Sequence, residues 1–233
     1  MGGLLLWIIN LQSIVCNVLF NLPLSIIIIG ICFLVSLFVI GKTGTPFYLK
    51  FFSPFLLLTL IVELIGFYAS ASKTTLRLYN FFTLGEFCFY LFIIGAIIRK
   101  ITIKKIVWVV LMIYLITTLI NILFIQRDTF HSVTYSIGCL LIVSFCIYYF
   151  FELFSIPNSI SLVREPSFWI CSGLLFYYCC SFPLLGLINF LNRVPQILIR
   201  NMLTIFIAMN FILYTLFIIA FLCRIKIRKS IFS

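Results

Sequence analysis

The chain has 233 residues, of which 64% are hydrophobic and 9% are charged, a composition far outside that of soluble globular domains. It carries 16 Lys and Arg against 5 Asp and Glu. Basic residues beside apolar spans are explained by membrane topology and contacts with anionic headgroups, so nucleic acid is excluded as a partner. The stretches between apolar segments, about fifteen residues at most, leave no room for a folded extramembrane domain.

Residues 1–21 form the first predicted element, an amphipathic segment. Its polar residues recur at helical spacing on one face: Asn10, Ser13, Asn17 and Asn21. We therefore predict a helix that lies in the membrane interface. The alternative is that residues 4–20 cross the membrane as an additional span.

Seven apolar runs follow, each close to the 20 or so residues that a helix needs to cross the hydrocarbon core. They cover residues 22–41, 52–71, 78–98, 106–126, 133–153, 167–190 and 202–223. The sequence therefore predicts an all-α, polytopic membrane helix bundle. Its seven-helix transmembrane domain extends over residues 22–224, and a basic cytoplasmic tail occupies residues 225–233.

The distribution of Lys and Arg predicts the orientation of this bundle. With the C-terminus inside, eleven basic residues fall on the inner side and five on the outer side. The outer ones are Lys73, Arg77, Arg127, Arg193 and Arg200. Because cytoplasmic loops carry the basic excess, we predict that the N-terminus lies outside and the C-terminus in the cytoplasm.

Two glutamates lie deep in the predicted spans, where an ionisable side chain is costly and marks a candidate functional site. Glu63 and Glu86 are each about eight residues from the outer end of a span, roughly 12 Å deep, so we predict equal depth. The short loop between the second and third spans makes these helices antiparallel neighbours. We expect the two carboxyls to approach within hydrogen-bonding or one-water reach and to share a proton.

Further polar residues in the spans complete a predicted outward-facing polar pocket for a ligand or a proton. They are Thr59, Tyr90, Asn121, Asn210 and Tyr214. For the asparagines and threonines, hydrogen bonds between helices are the alternative role.

Four other residues lead to local predictions. Glu152 ends the fifth span near Arg164 and is interpreted as an ion-pair partner or a charged end group. Pro166 suits the first turn of the sixth helix. His131 lies in an outer loop without a second His or Cys at ligand spacing, so neither a metal site nor a cofactor is predicted.

The sequence lacks the marks of an enzyme. The predicted spans contain no Asp and no His, and the chain has neither a Gly-x-Ser-x-Gly elbow nor a His-Glu-x-x-His motif. No lysine occurs in the seventh span, which excludes a retinal Schiff base there. We therefore predict no catalytic residue and no enzymatic activity. The alternative is an enzyme that uses the two glutamates for acid–base catalysis.

Six segments together have a recognisable pattern. They are KFFSPFLLLTLIVELIGFY (50–68), LYNFFTLGEFCFY (78–90), NILF (121–124), YFFELF (149–154), REPSFWICSGLLFYY (164–178) and ILYTLFIIAFLCRIK (212–226). The chain resembles, in these segments, an uncharacterised seven-helix integral membrane protein family of Bacteroidota. The resemblance implies a bacterial cytoplasmic (inner) membrane and supports the number of spans, and it assigns no catalytic residue.

These observations lead to a functional prediction. We predict a sensor or signalling subunit that binds a small ligand in the outer polar pocket. It would act on a membrane or cytoplasmic protein partner through the basic inner loops. The alternatives are a proton- or cation-coupled transporter or channel that uses the glutamates, and a structural or assembly subunit of a membrane complex.

Overall fold

The computed structural model describes residues 24–40, 45–69, 73–127, 129–155, 162–186 and 196–229. Within these ranges every regular element is helical. The helices are α1 (Leu24–Ile40), α2 (Phe47–Tyr68), α3 (Lys73–Ile97), α4 (Ile101–Ile120), α5 (Ser132–Phe154), α6 (Pro166–Gly186) and α7 (Gln196–Lys229). A π-helical turn, Asn121–Ile125, continues α4, and a 3-10 turn, Leu162–Arg164, precedes α6.

Six of the described helices, α2 to α7, are long and apolar enough to cross a membrane. α1 is also apolar but has 17 residues, which corresponds to about 25 Å. The prediction of an all-α, polytopic membrane helix bundle is confirmed. The amphipathic segment predicted for residues 1–21 lies outside the described residues.

Several helices extend beyond the predicted spans. α2 begins at Phe47 and α3 at Lys73, each five residues before the corresponding apolar run. α7 has 34 residues and ends at Lys229, so the first part of the predicted basic tail continues the last helix. Apolarity marks the residues that suit hydrocarbon, whereas helical hydrogen bonding continues through adjoining polar residues of good helix propensity.

Short connections make successive helices alternate in direction. We name the two ends of the bundle after the connections they hold, the α2–α3 end and the α3–α4 end. Asn80 Nδ2 donates a hydrogen bond of 3.0 Å to the Thr129 carbonyl, which places the α4–α5 connection at the α2–α3 end. The hydroxyls of Tyr48 and Ser167 are 2.9 Å apart, so α2 and α6 both begin at the α3–α4 end.

α3 is the central helix of the described bundle. In its apolar 18-residue stretch, 50% of the residues are buried, against 28% to 39% in the corresponding stretches of the other five spans. The Phe87 ring packs against Tyr114 of α4, Tyr135 of α5 and Tyr178 of α6, with ring centroids 5.8, 5.2 and 5.1 Å apart. A group on α3 is therefore within reach of most of the bundle.

Glu152, near the end of α5, fixes the connection between α3 and α4. Its Oε2 accepts a hydrogen bond of 3.0 Å from the Arg99 N–H, and its Oε1 accepts one of 2.7 Å from the Lys100 N–H. Lys100 is the N-cap residue of α4 and Arg99 precedes it, so the carboxylate lies beside the positive end of the α4 dipole, where a negative charge is favourable. Among the described residues Arg164 is not a partner of Glu152, and the carboxylate caps a neighbouring helix instead.

Replacing Glu152 tests this cap. We expect Glu152→Ala to lower the free energy of unfolding in detergent by about 1 to 2 kcal/mol, because two backbone donors lose their acceptor. Glu152→Gln should lose less, since one side-chain oxygen remains. The control is Ser155→Ala, whose hydroxyl bonds only to the Phe151 carbonyl of its own helix. Equal losses in all three variants would contradict the cap.

Candidate functional site

The register between α2 and α3 determines how deep each glutamate lies. Phe55 stacks on Phe89 with ring centroids 3.9 Å apart, and a Cβ added at Gly66 would clash with the Tyr79 hydroxyl. These two contacts place Thr59 level with position 86 of α3.

Glu86 therefore lies about one helical turn, roughly 6 Å, further from the α2–α3 end than Glu63 does. The predicted equal depth is wrong by this turn. The cause is that α3 begins at Lys73, five residues before the apolar run from which the depth of Glu86 was counted.

Glu86 lies at the centre of the bundle among tyrosines. The Tyr178 hydroxyl donates a hydrogen bond of 3.2 Å to Glu86 Oε1. Tyr90, one turn further along α3, and Tyr214 of α7 both lie within electrostatic range of this carboxylate. So does Glu63. The structure thus brings together Glu63, Tyr90 and Tyr214 of the predicted set around Glu86.

Glu63 lies nearer the α2–α3 end, beside Tyr79. The Tyr79 hydroxyl packs on Gly66, one turn from Glu63, and is within electrostatic range of the Glu63 carboxylate. Among the described residues Glu63 has no hydrogen-bond partner, and the two carboxylates do not bond to each other. Any proton that they share would therefore pass through a water molecule or another bridging group.

Two other predicted site residues contribute less directly. Thr59 is buried, and its hydroxyl donates to the Phe55 carbonyl one turn earlier at 2.9 Å. Asn210 is half-buried on α7, one turn before Tyr214. In the described part of the chain, no hydrogen bond joins either residue to a glutamate.

Asn121 belongs to a second polar cluster, between α4 and α5 at the α2–α3 end. Its Nδ2 donates to Gln126 Oε1 at 2.8 Å and to Thr134 Oγ1 at 3.1 Å. His131 Nδ1 lies 2.9 Å from the same Thr134 hydroxyl. The residues predicted to form one pocket are therefore divided between two clusters, because the π-helical turn and the start of α5 supply closer partners for Asn121.

His131 lies in the connection between α4 and α5, as the sequence predicts for a loop residue. Its side chain is nevertheless fully buried, at 0% exposure. Its Nε2 is buried without a hydrogen-bond partner in the described structure. Burial lowers the pKa of His131 from 6.5 to about 4, because the charged form loses its hydration.

Sequence reasoning missed Tyr178, although this residue donates the hydrogen bond to Glu86. A signal was present, because a phenol in the middle of an apolar span needs a polar partner inside the protein. Tyr178 has a relative exposure of 1%, so that partner had to lie in the bundle.

No family model, curated protein or solved structure matches this chain. The resemblance to the seven-helix family of Bacteroidota therefore stays a prediction. The interpretation of the site depends on its own geometry.

Replacing Tyr178 by Phe tests the contact with Glu86. We expect Tyr178→Phe to lower the free energy of unfolding by about 1 to 2 kcal/mol, because the Glu86 carboxyl loses a buried donor. The matched control is Tyr68→Phe, since Tyr68 is 76% exposed. An equal effect of the two substitutions would mean that the Tyr178 hydroxyl does not stabilise Glu86.

Titration tests the burial of His131. The folded-state pKa of about 4 lies below the ordinary value of 6.5, so protonation favours the unfolded chain. The contribution of the neutral His131 ring to the free energy of unfolding should be fully present above pH 6.5 and should decrease as the pH drops toward 4. We expect a loss on the order of 2 kcal/mol between pH 7 and pH 5, relative to His131→Gln. If the free energy of unfolding has the same pH dependence in the wild type and in His131→Gln, His131 is not buried as a neutral ring.

Proposed function

We propose that this chain is a sensor or signalling subunit of a bacterial cytoplasmic (inner) membrane. In this proposal a small ligand binds at Glu63 and Glu86 and alters how α3 meets its neighbours. The α2–α3 end faces outward and the α3–α4 end faces the cytoplasm, because the connections at the latter end carry most of the Lys and Arg.

The observation that carries this proposal is the position of Glu86 on the central helix. α3 ends at Ile97, eleven residues beyond Glu86, and the connection that follows is held by Glu152. A shift of α3 caused by a ligand at Glu86 would therefore move Arg99 and Lys100. Their exposed side chains are available to a membrane or cytoplasmic partner.

The cost of the two carboxylates also supports a functional role. An acidic side chain in the hydrocarbon region costs a few kcal/mol and is retained mainly where it binds an ion, a proton or a substrate. Glu63 and Glu86 are both half-buried. Protein atoms therefore do not cover either side chain completely.

A proton- or cation-coupled transporter is the second candidate. One observation favours it, the offset of one turn between Glu63 and Glu86, because two carboxylates at successive depths could pass a cation inward. The remaining alternative, a structural or assembly subunit, has no specific contact in its favour.

A distance measurement at the α3–α4 end tests the proposal. Spin labels are attached to Thr102→Cys and Ser155→Cys, two exposed positions, in a cysteine-free chain in nanodiscs. We apply pH steps, sodium, potassium and methylammonium. A sensor should change the distance between the labels with at least one probe, and Glu86→Gln should abolish the change.

The matched control is Glu165→Gln, which makes the same replacement at the start of α6 and should preserve the response. Flux measurements in proteoliposomes separate the two candidates. A distance change without flux supports the sensor, whereas flux of the responsive cation supports the transporter. An unchanged distance with every probe would overturn the proposal.

A further inference from the structure

The electrostatic surroundings of Glu86 contain acidic and neutral groups. Besides Glu63, the titratable groups that face it from α3 to α7 are phenols and one thiol: Tyr90, Tyr114, Tyr135, Cys139, Tyr177, Tyr178 and Tyr214. In the part of the chain that the structure describes, no Lys, Arg or His interacts with either glutamate. Two negative charges at low dielectric repel and are poorly solvated, so this pair must be neutralised by protons or by a cationic ligand.

Tyr90 independently indicates a missing partner. Its side chain is fully buried at 0% exposure, and its hydroxyl has no hydrogen-bond partner in the described structure. It lies one turn after Glu86 on the same face of α3, and its ring packs edge-on against Tyr178, the hydrogen-bond donor to Glu86, with ring centroids 5.9 Å apart. A buried hydroxyl without a partner is unfavourable, and its oxygen can accept a hydrogen bond from a ligand held at Glu86.

An apolar layer lies on the α3–α4 side of this site. It consists of fully buried side chains from four helices: Phe52, Leu56, Ile94, Leu174, Phe217 and Phe221. Phe52 packs edge-on against both Phe217 and Phe221, with ring centroids 5.2 and 5.8 Å apart. This layer separates the glutamates from the basic end of the bundle.

We infer that Glu63, Glu86 and Tyr90 form a one-sided site that takes up one positive charge, either as a proton bound to a carboxylate oxygen or as an ammonium group that donates hydrogen bonds. The proton or the ammonium group enters from the α2–α3 end, meets Glu63 first and Glu86 one turn deeper, and stops at the apolar layer. An ammonium group has several N–H donors, which suit two carboxylates and one phenol oxygen. This inference names the ligand class of the proposed sensor and depends on that proposal.

One-sided addition to proteoliposomes tests the inference. Protein orientation is first determined with a membrane-impermeant thiol reagent on Thr102→Cys in a cysteine-free chain. Infrared difference spectra then follow the carboxyl band that Glu86→Gln removes. One arm applies a pH step without ammonium, and the other adds methylammonium at constant pH.

We expect the band to change in at least one arm, and only when the probe is added on the side of the α2–α3 end. A response to pH alone identifies proton uptake by the carboxylate, and a response to methylammonium identifies the ammonium group. In Tyr90→Phe the probe concentration that gives half of the maximal response should rise about tenfold, which corresponds to the loss of one hydrogen bond. Tyr68→Phe, an exposed tyrosine, should leave it unchanged.

Three results would overturn the inference: an equal initial response from both sides, passage of the probe faster than through protein-free liposomes, or an unchanged carboxyl band in both arms. Apart from the labelled chain, the measurement needs only Glu86→Gln to assign the band, so misfolding of Tyr90→Phe would not affect it. Failure here is distinguishable from failure of the sensor. If the labels at positions 102 and 155 still respond to sodium or potassium, the proposed function stands and the ligand class is wrong.

Discussion

A carboxylate in the hydrocarbon region must find its charge and hydrogen-bond partners inside the protein, and Glu86 on α3 is where this constraint is most severe. The bundle supplies some of these partners to Glu86: Tyr178 donates a hydrogen bond, and other neutral phenols lie nearby. Positive charge is missing from the described surroundings of Glu86, and the Tyr90 hydroxyl has no partner. Both features lie at the site that we propose for a proton or an ammonium group.

The position of α3 gives this local chemistry a wider consequence. Phe87, the residue after Glu86, packs on α4, α5 and α6. At the far end of α3, Glu152 binds two backbone N–H groups of the α3–α4 connection. A change of charge at Glu86 therefore acts on a helix whose contacts extend through most of the bundle and whose end is held by one identifiable carboxylate.

The sequence was sufficient to predict the helices and to single out Glu63 and Glu86, because apolar run length and intramembrane charge are local properties. It could not predict the relative depth of the glutamates, which depends on where α3 begins and on contacts such as Phe55 with Phe89. The same limit applies to Glu152. Its two donors lie more than fifty residues away along the chain, and no pattern in the sequence pairs them with it.

Hydrogen–deuterium exchange at the α3–α4 connection is the most direct test of coupling between the central site and the basic end. The Arg99 and Lys100 amides donate to Glu152, so their exchange rates report whether that contact holds. We expect loading of the site with methylammonium at constant pH to change both rates in the wild type and to leave them unchanged in Glu86→Gln. Identical rates in the loaded and unloaded wild type would contradict the account.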